Sequence, residues 1–454
     1  MRGEIMTLRE SELRAMFALA APLVLTELGW MAMGIVDTMF VGRVSADAIG
    51  AVSLGTSVFY AIAIFASGLL LGLDTLVSQS FGAGDLNDCH HSLVSGIWLA
   101  LLLIPGVMGV VWLFIPLMAE FGIDAGVLRV TTPYIRALNW SAAPLLLFFC
   151  LRRYLQSAGI VRPILAVLVT ANLVNAAGNW IFVFGNLGAP RMGAEGAGWS
   201  TCAARVYMLA AMALVVWLRD PKAFLVSWRP DWRRIGRVLK LGLPAAGQIG
   251  LEMSMFETVT VLIGRLGADA LAGHQIALTI ASTTFMMPLG ISSAAAVRVG
   301  QAIGRRDPDG ASRSGWTALA FGASAMSVAA LALLGFPHAI ARLFTPEAPI
   351  IAAAVPLLRV AAFFQLFDGL QITATGALRG AGDTRTPMLC HLAGYWAIGL
   401  PVGAFLCFHE SLGAVGLWMG LSAGLITIGI ILLWIWRRKA RVFRESAALA
   451  RAGK

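Results

Sequence analysis

About twelve apolar runs, each long enough to cross a bilayer and each closed off by Gly, Pro or charge, leave this chain few ways to fold. They start near residues 14, 46, 92, 130, 161, 193, 236, 268, 312, 349, 385 and 412. A hydrocarbon core about 30 Å thick takes about 20 residues of helix at 1.5 Å each. Barrel strands would show alternating segments of about 10 residues. Leu99 to Phe114 and Leu421 to Trp436 are instead apolar almost throughout. With 58% hydrophobic and 13% charged residues over 454 positions, no single water-facing globule can bury the apolar surface. The expected fold class is an all-α polytopic membrane protein with twelve transmembrane helices.

Basic residues orient those helices. The net charge of +10 could suggest nucleic acid, but the placement of Lys and Arg argues against it. With both termini inside, 26 of the 34 basic residues fall in cytosolic segments, and the opposite loops hold only Arg43, Arg129, Arg191, Arg265 and Arg342. That asymmetry places both ends in the cytosol, and the expected location is the cytoplasmic (inner) membrane. The stretch Met1 to Arg14 lacks a cleavable signal pattern and is read as a retained cytosolic tail. Cys89, Cys150, Cys202, Cys390 and Cys407 are scattered without metal-site spacing, so packing roles are expected, with reduced Cys89 in a loop.

The chain also repeats itself. A shift of 222 residues superposes Pro22 on Pro244, Gly42-Arg43 on Gly264-Arg265, Ala46-Asp47-Ala48 on Ala268-Asp269-Ala270, Gly68 on Gly290, Gln79 on Gln301 and Asp85 on Asp307. Later, Arg136 falls on Arg359 and Ala158-Gly159 on Ala381-Gly382. Six spans per half make the repeat parallel, which predicts two six-helix lobes around a central cavity. The expected boundaries are a cytosolic N-tail 1–13, an N-lobe 14–218 (helices 1–6), a basic linker 219–235, a C-lobe 236–436 (helices 7–12) and a basic C-tail 437–454. Such repeats characterise alternating-access carriers, although duplicated membrane enzymes and channels exist.

Carboxylates inside spans are costly, so each raises a functional hypothesis. Six stand out: Glu27, Asp37, Asp74, Glu252, Glu257 and Asp368. Asp37 lies late in span 1, where function competes with a buried helix-pairing role. Asn175 and Asn179 in span 5 share a helix face and can hydrogen-bond a carboxylate or join helices. Glu252 and Asp368, the latter near the middle of span 10, are the foremost candidates in the second half. Glu257 follows Glu252 by five residues, about 140° around a helix, and shares its cavity only if the helix bends or the cavity is wide. Asp74, near the cytosolic end of span 2, reads as structural. His274 at the start of span 8 suits either a proton relay or a local hydrogen bond. The 18 Met and 14 Trp could line a pliable, cation-attracting pocket, although lipid-facing and packing roles are commoner. No phosphate-cradling Gly-Lys motif suggests ATP, and no nucleophile stands with its base.

Several motifs then carry a resemblance: Met31-Ala32-Met33-Gly34-x-Val36-Asp37-Thr38, Ser78-Gln79-x-Phe81-Gly82-Ala83-Gly84, Asn175-x-x-x-Asn179-x-x-Phe182, Val297-Arg298-Val299-Gly300, Gly376-Ala377-Leu378-Arg379-Gly380 and Tyr395-Trp396-x-x-Gly399-Leu400-Pro401. Over nearly its whole length the chain resembles the multidrug and toxic compound extrusion (MATE) transporters, most closely the bacterial norfloxacin-exporter branch. The resemblance implies a V-shaped cavity between two lobes and export of organic cations by antiport against protons or sodium ions. It places the N-lobe cation site at Asp37, Asn175 and Asn179 and the C-lobe acidic pair at Glu252 and Asp368, with Glu257 beside them. Either set could take a sodium ion. Glu257 and Asp74 look more like the eukaryotic branch, which usually lacks the span 1 acid.

The implied partners are organic cation substrates and membrane lipid, without nucleic acid, ATP or a cofactor beyond the coupling ion, and a monomer is expected. A lipid-linked oligosaccharide flippase of the same superfamily is the alternative. It would be expected to hold pyrophosphate with several intramembrane cations, and only Arg136, Arg205 and Arg359 fall within spans.

Overall fold

Helix termini are written clearly into this chain. Ser45 starts one helix by accepting the Ala48 N–H at 3.1 Å. Asp307 starts another by accepting the Gly310 N–H at 2.8 Å, with Pro308 in the first turn. Gly84 ends a third in the left-handed region at φ 79°, and its repeat-mate Arg306 takes φ 57° at the matching helix end. The turn is therefore conserved between the halves even where a side chain strains it.

The computed structural model describes residues 2–120 and 125–452. Met1 of the expected N-tail and residues 453 and 454 of the C-tail lie outside the described residues. The helices are α1 Arg2–Val41, α2 Ala46–Leu69, α3 Gly72–Gly82, α4 Leu86–Glu120, α5 Ala125–Trp140, α6 Ala142–Ser157, α7 Arg162–Phe182, α8 Ala194–Arg219, α9 Trp232–Gly264, α10 Ala268–Gly304, α11 Pro308–Gly335, α12 Pro337–Arg342, α13 Ala348–Gly380, α14 Arg385–His391, α15 Leu400–Ala404 and α16 Gly413–Ala452. Leu392–Gly399 and Phe405–His409 are π-helical, so α14 and α15 form one span with two widened turns. No strand occurs among the described residues, as the all-α expectation requires.

Ten continuous segments are long and apolar enough to cross a membrane, and the pair α5–α6, bent by 41°, makes an eleventh. The twelfth is α9, 33 residues long, whose Arg233, Arg234, Arg237, Lys240, Glu252 and Glu257 depress its hydropathy. Leu113, Leu173, Leu331 and Phe363 stand exposed on these helices, as side chains solvated by lipid do.

The chain divides into two compact units, Leu28–Ala246 and Met1–Glu27 with Gly247–Lys454. Their seams fall inside α1, after Glu27, and inside α9, after Ala246, whereas the sequence reading put the boundary at 219–235. Each seam follows the helix-interior proline, Pro22 or Pro244, by a few residues.

One expectation is corrected. Cys89 is not in a loop: it lies in the first turn of α4, buried, with Sγ 3.6 Å from the Val77 carbonyl. The sequence reading began span 3 at residue 92, six residues late, because Asn87, Asp88, His90 and His91 look like loop composition.

Just beyond α8, Asp220 accepts hydrogen bonds from Tyr154 Oη at 2.8 Å and from His90 Nε2 at 2.7 Å. Burial opposes its charge, but the bonds from Tyr154 and His90 outweigh that and hold the carboxyl below the usual range. A depressed folded-state value contributes stability above the ordinary carboxylate range, and this is lost as the pH falls through the folded value. Asp220→Asn should therefore melt lower at neutral pH and lose part of the wild type's acid sensitivity, read as melting temperature against pH in detergent. Identical curves would refute the assignment.

Candidate cation sites in each unit

In unit Leu28–Ala246, three helices converge on Asp37. Asn175 and Asn179 stand one turn apart on α7, and their Nδ2 atoms donate to Asp37 Oδ1 at 3.0 and 2.6 Å. Thr201 on α8 donates its hydroxyl to Asp37 Oδ2 at 2.9 Å. Behind them Ser200 Oγ donates to the Asn175 carbonyl at 2.7 Å and locks α8 to α7. Asp37 is 8% exposed, Thr201 4%, and both asparagines are fully buried. Asn179 Oδ1 accepts from no donor among the described residues. One carboxylate thus meets two amide N–H groups and a hydroxyl in a nearly dry site, where a hard monovalent cation or a proton would not compete with water for the carboxyl. The sequence reading brought together Asp37, Asn175 and Asn179 and missed Thr201, whose only signal is a polar Ser200-Thr201 pair inside an apolar span.

The C-terminal unit builds its own acidic pair. Asp368 on α13 is 7% exposed and accepts from Gln371 Nε2 at 3.2 Å, three residues along the same face. Gln371 is also a side-chain neighbour of Glu252, so one amide serves both acids' surroundings. Glu252 Oε1 accepts from Tyr395 Oη at 3.3 Å, and Oε2 lies 3.9 Å from His391 Nε2. His391 Nδ1 is 2.8 Å from the Pro387 carbonyl, which can only accept, so Nδ1 carries a proton; Gln248 Nε2 stands 3.4 Å from Nε2. Tyr395 comes from the first π-helical stretch, and such widened turns rotate the following side chains off the ordinary helical period. Gln371 Oε1, fully enclosed, has no donor among the described residues. Gln371, His391 and Gln248 were not singled out by sequence, and Tyr395 entered only as a motif residue with no site role. Among the first three only Gln371 had a local signal, its i+3 spacing from Asp368.

With this geometry in view, the comparisons with known proteins become decisive. The MatE family pattern matches residues 22–181 and 244–405, one copy per repeat. The chain belongs to the MatE family. A probable multidrug resistance protein NorM of Mesorhizobium japonicum is 38% identical over 95% of both chains. The multidrug resistance protein NorM of Burkholderia vietnamiensis is 38% identical over 93% of each, and that of Aliivibrio fischeri 33% over 96% of this chain and 97% of its own. In fold, a eukaryotic MATE transporter aligns with TM-score 0.86 at 20% identity, over 96% of this chain and 99% of its own. A MOP superfamily transporter from Pyrococcus furiosus aligns with TM-score 0.85 at 18% identity, over 95% and 97%. This MatE protein is a multi-pass membrane transporter of the multidrug efflux type, not an enzyme.

The remaining polar residues of the MatE chain separate by environment. Glu257 is exposed on a face of α9 other than that of Glu252, as the 140° spacing anticipates, and is not drawn to Asp368 by a hydrogen bond among the described residues. Asp74 is fully buried against Arg153 Nη1 at 3.3 Å, an ion pair joining α3 to α6. Glu27 is half-buried at the seam in α1. Arg136 and Arg359 are exposed, whereas buried Arg205 donates to Ser141 Oγ and to Tyr60 Oη at 2.8 Å, under the rings of Phe59 and Tyr60. His274 accepts from Trp418 Nε1 at 3.0 Å through Nδ1, so its Nε2–H donates to Thr260 Oγ1 at 2.8 Å, which in turn donates to the Phe256 carbonyl at 2.9 Å. That chain has one polarity and ends on backbone, the local hydrogen-bonding role rather than a relay to an acid.

Proposed function

We propose that this MatE transporter exports organic cations by antiport against protons or sodium ions, from a cytoplasmic membrane in which both termini face the cytosol. The supporting observation is the same in both units: a nearly dry carboxyl beside an amide oxygen that accepts nothing, Asn179 Oδ1 near Asp37 and Gln371 Oε1 near Asp368 and Glu252. A buried unpaired acceptor next to a carboxyl is costly, and an arriving cation relieves both at once. Mutual exclusion then provides coupling, because the carboxyl that binds the coupling cation cannot simultaneously hold the positive substrate, and loading one releases the other. Met and aromatic surfaces supply apolar contact for the body of the substrate.

The test is efflux of a fluorescent organic cation from proteoliposomes under separately imposed pH and sodium gradients. Concentrative transport that collapses with one gradient identifies the coupling ion, and gradient-independent conductance would refute antiport. A narrower prediction concerns Thr201. Thr201→Val removes one oxygen facing Asp37 and should raise the coupling-ion concentration for half-maximal transport by about tenfold, the cost of one hydrogen bond to a charged group. Thr201→Ser should remain near wild type, and equal behaviour of the two variants would sink the assignment.

A further inference from the structure

The first helix of each repeat is split between units, and its cytosolic half docks at a repeat-equivalent place in the unit that holds the other repeat's remaining helices. The first part of α1, through Glu27, belongs with Gly247–Lys454; the first part of α9, through Ala246, belongs with Leu28–Ala246. Each half rests on a glycine. A Cβ built on Gly290 would lie 2.6 Å from Val24 N, and one on Gly68 would lie 2.8 Å from Ala246 Cα. Both pairs, 68 with 290 and 24 with 246, differ by the repeat offset of 222.

Two of the polar anchors keep the same offset, Glu12 corresponding to Arg234 and Ser92 to Ser314, whereas their charged partners Asp88 and Arg298 fall opposite Gly310 and Leu76. In one unit Glu12 Oε1 accepts from Arg298 Nε at 3.2 Å and Ser314 Oγ at 2.8 Å, while Oε2 takes Arg298 Nη2. In the other, Arg234 Nη1 donates to Asp88 Oδ1, lies 3.3 Å from the Asp88 carbonyl and 3.5 Å from Ser92 Oγ. Asp88 is also held by Ser80 of α3, and Arg234 Nε is 3.5 Å from Asp231. Shape is repeated and charge is inverted.

We propose that this inverted charge is the address that sends each half-helix to its socket. Both sockets have a glycine floor, but α9 also packs Gly242 against the Leu69 carbonyl, where a Cβ would lie 1.9 Å away, and α1 has Ala20 at the matching position, so shape opposes α1 in the α9 socket and charge acts together with it. In the unexchanged arrangement Glu12 would meet Asp88 and Arg234 would meet Arg298. The Arg298–Glu12 side chains are 21% and 12% exposed and the Arg234–Asp88 side chains 16% and 31%. Like charges that far from bulk water repel with little screening, so the wrong pairing is penalised while the right one is attracted.

The experiment uses the full chain expressed in membranes, with folded yield and melting temperature read by fluorescence-detected gel filtration. Glu12→Arg should cut folded yield by about tenfold, since it replaces attraction by repulsion in a half-buried pair. Adding Arg298→Glu should recover it to within about twofold. The neutral pair Glu12→Gln with Arg298→Met, which removes attraction without adding repulsion, should cost less than about threefold. Arg234→Glu, alone and with Asp88→Arg, should repeat the pattern. Single reversals no worse than the neutral pair, or double reversals that fail to recover, would overturn the proposal.

Discussion

Everted membrane vesicles carrying Glu252→Gln or Asp368→Asn should accumulate a fluorescent organic cation at no more than about a hundredth of the wild-type rate, the consequence of removing about 3 kcal/mol of interaction from a buried charged site. Each acid is held by a neighbouring donor: Gln371 donates to Asp368, and Tyr395 donates to Glu252. An amide keeps the shape and the hydrogen-bonding capacity but cannot become negative. The expected result is loss of transport with the fold retained, so abundance and melting temperature should stay near wild type. Full transport in both variants would remove the C-terminal acids from the mechanism and leave Asp37 as the remaining candidate.

The second large effect concerns backbone packing beneath that site. Gly420 on α16 faces the span that carries Tyr395: a Cβ there would lie 2.3 Å from Gly403 Cα and N and 2.5 Å from the Gly399 carbonyl. These are backbone atoms, so no rotamer change relieves the clash and the π-helical span must move away. Gly420→Ala should cost about 3 kcal/mol through overpacking. It should also reduce transport beyond the loss of stability, because the displacement carries the Tyr395 hydroxyl away from Glu252. Gly106→Ala on α4, where nothing lies within 4 Å, is the control and should be neutral or slightly stabilising. An unchanged melting temperature for Gly420→Ala would refute this close packing.

What could be read without coordinates follows from where each signal resides. Span starts expected at 46, 161, 193, 268, 349, 385 and 412 fall within one residue of observed helix starts, because bilayer thickness and helix rise act locally. Asp37, Asn175, Asn179, Glu252 and Asp368 were visible because polar groups are rare inside apolar runs. Glu257 satisfied the same criterion, yet it stands exposed on another face of α9, since rarity says nothing about helix rotation.

By itself, then, the sequence determined that this chain is a twelve-span duplicated membrane protein with acids inside the spans of both halves, since hydropathy, loop charge and the 222-residue offset are properties of the chain in order. Tertiary structure alone decided which donors surround each acid and which unit receives each half-helix. Thr201 reaches Asp37 across 164 residues, Tyr395 reaches Glu252 across 143, and Glu12 reaches Arg298 across 286. Such meetings depend on the rotation and packing of whole helices, and a widened π-turn or a glycine floor changes them without altering the hydropathy that announces the span.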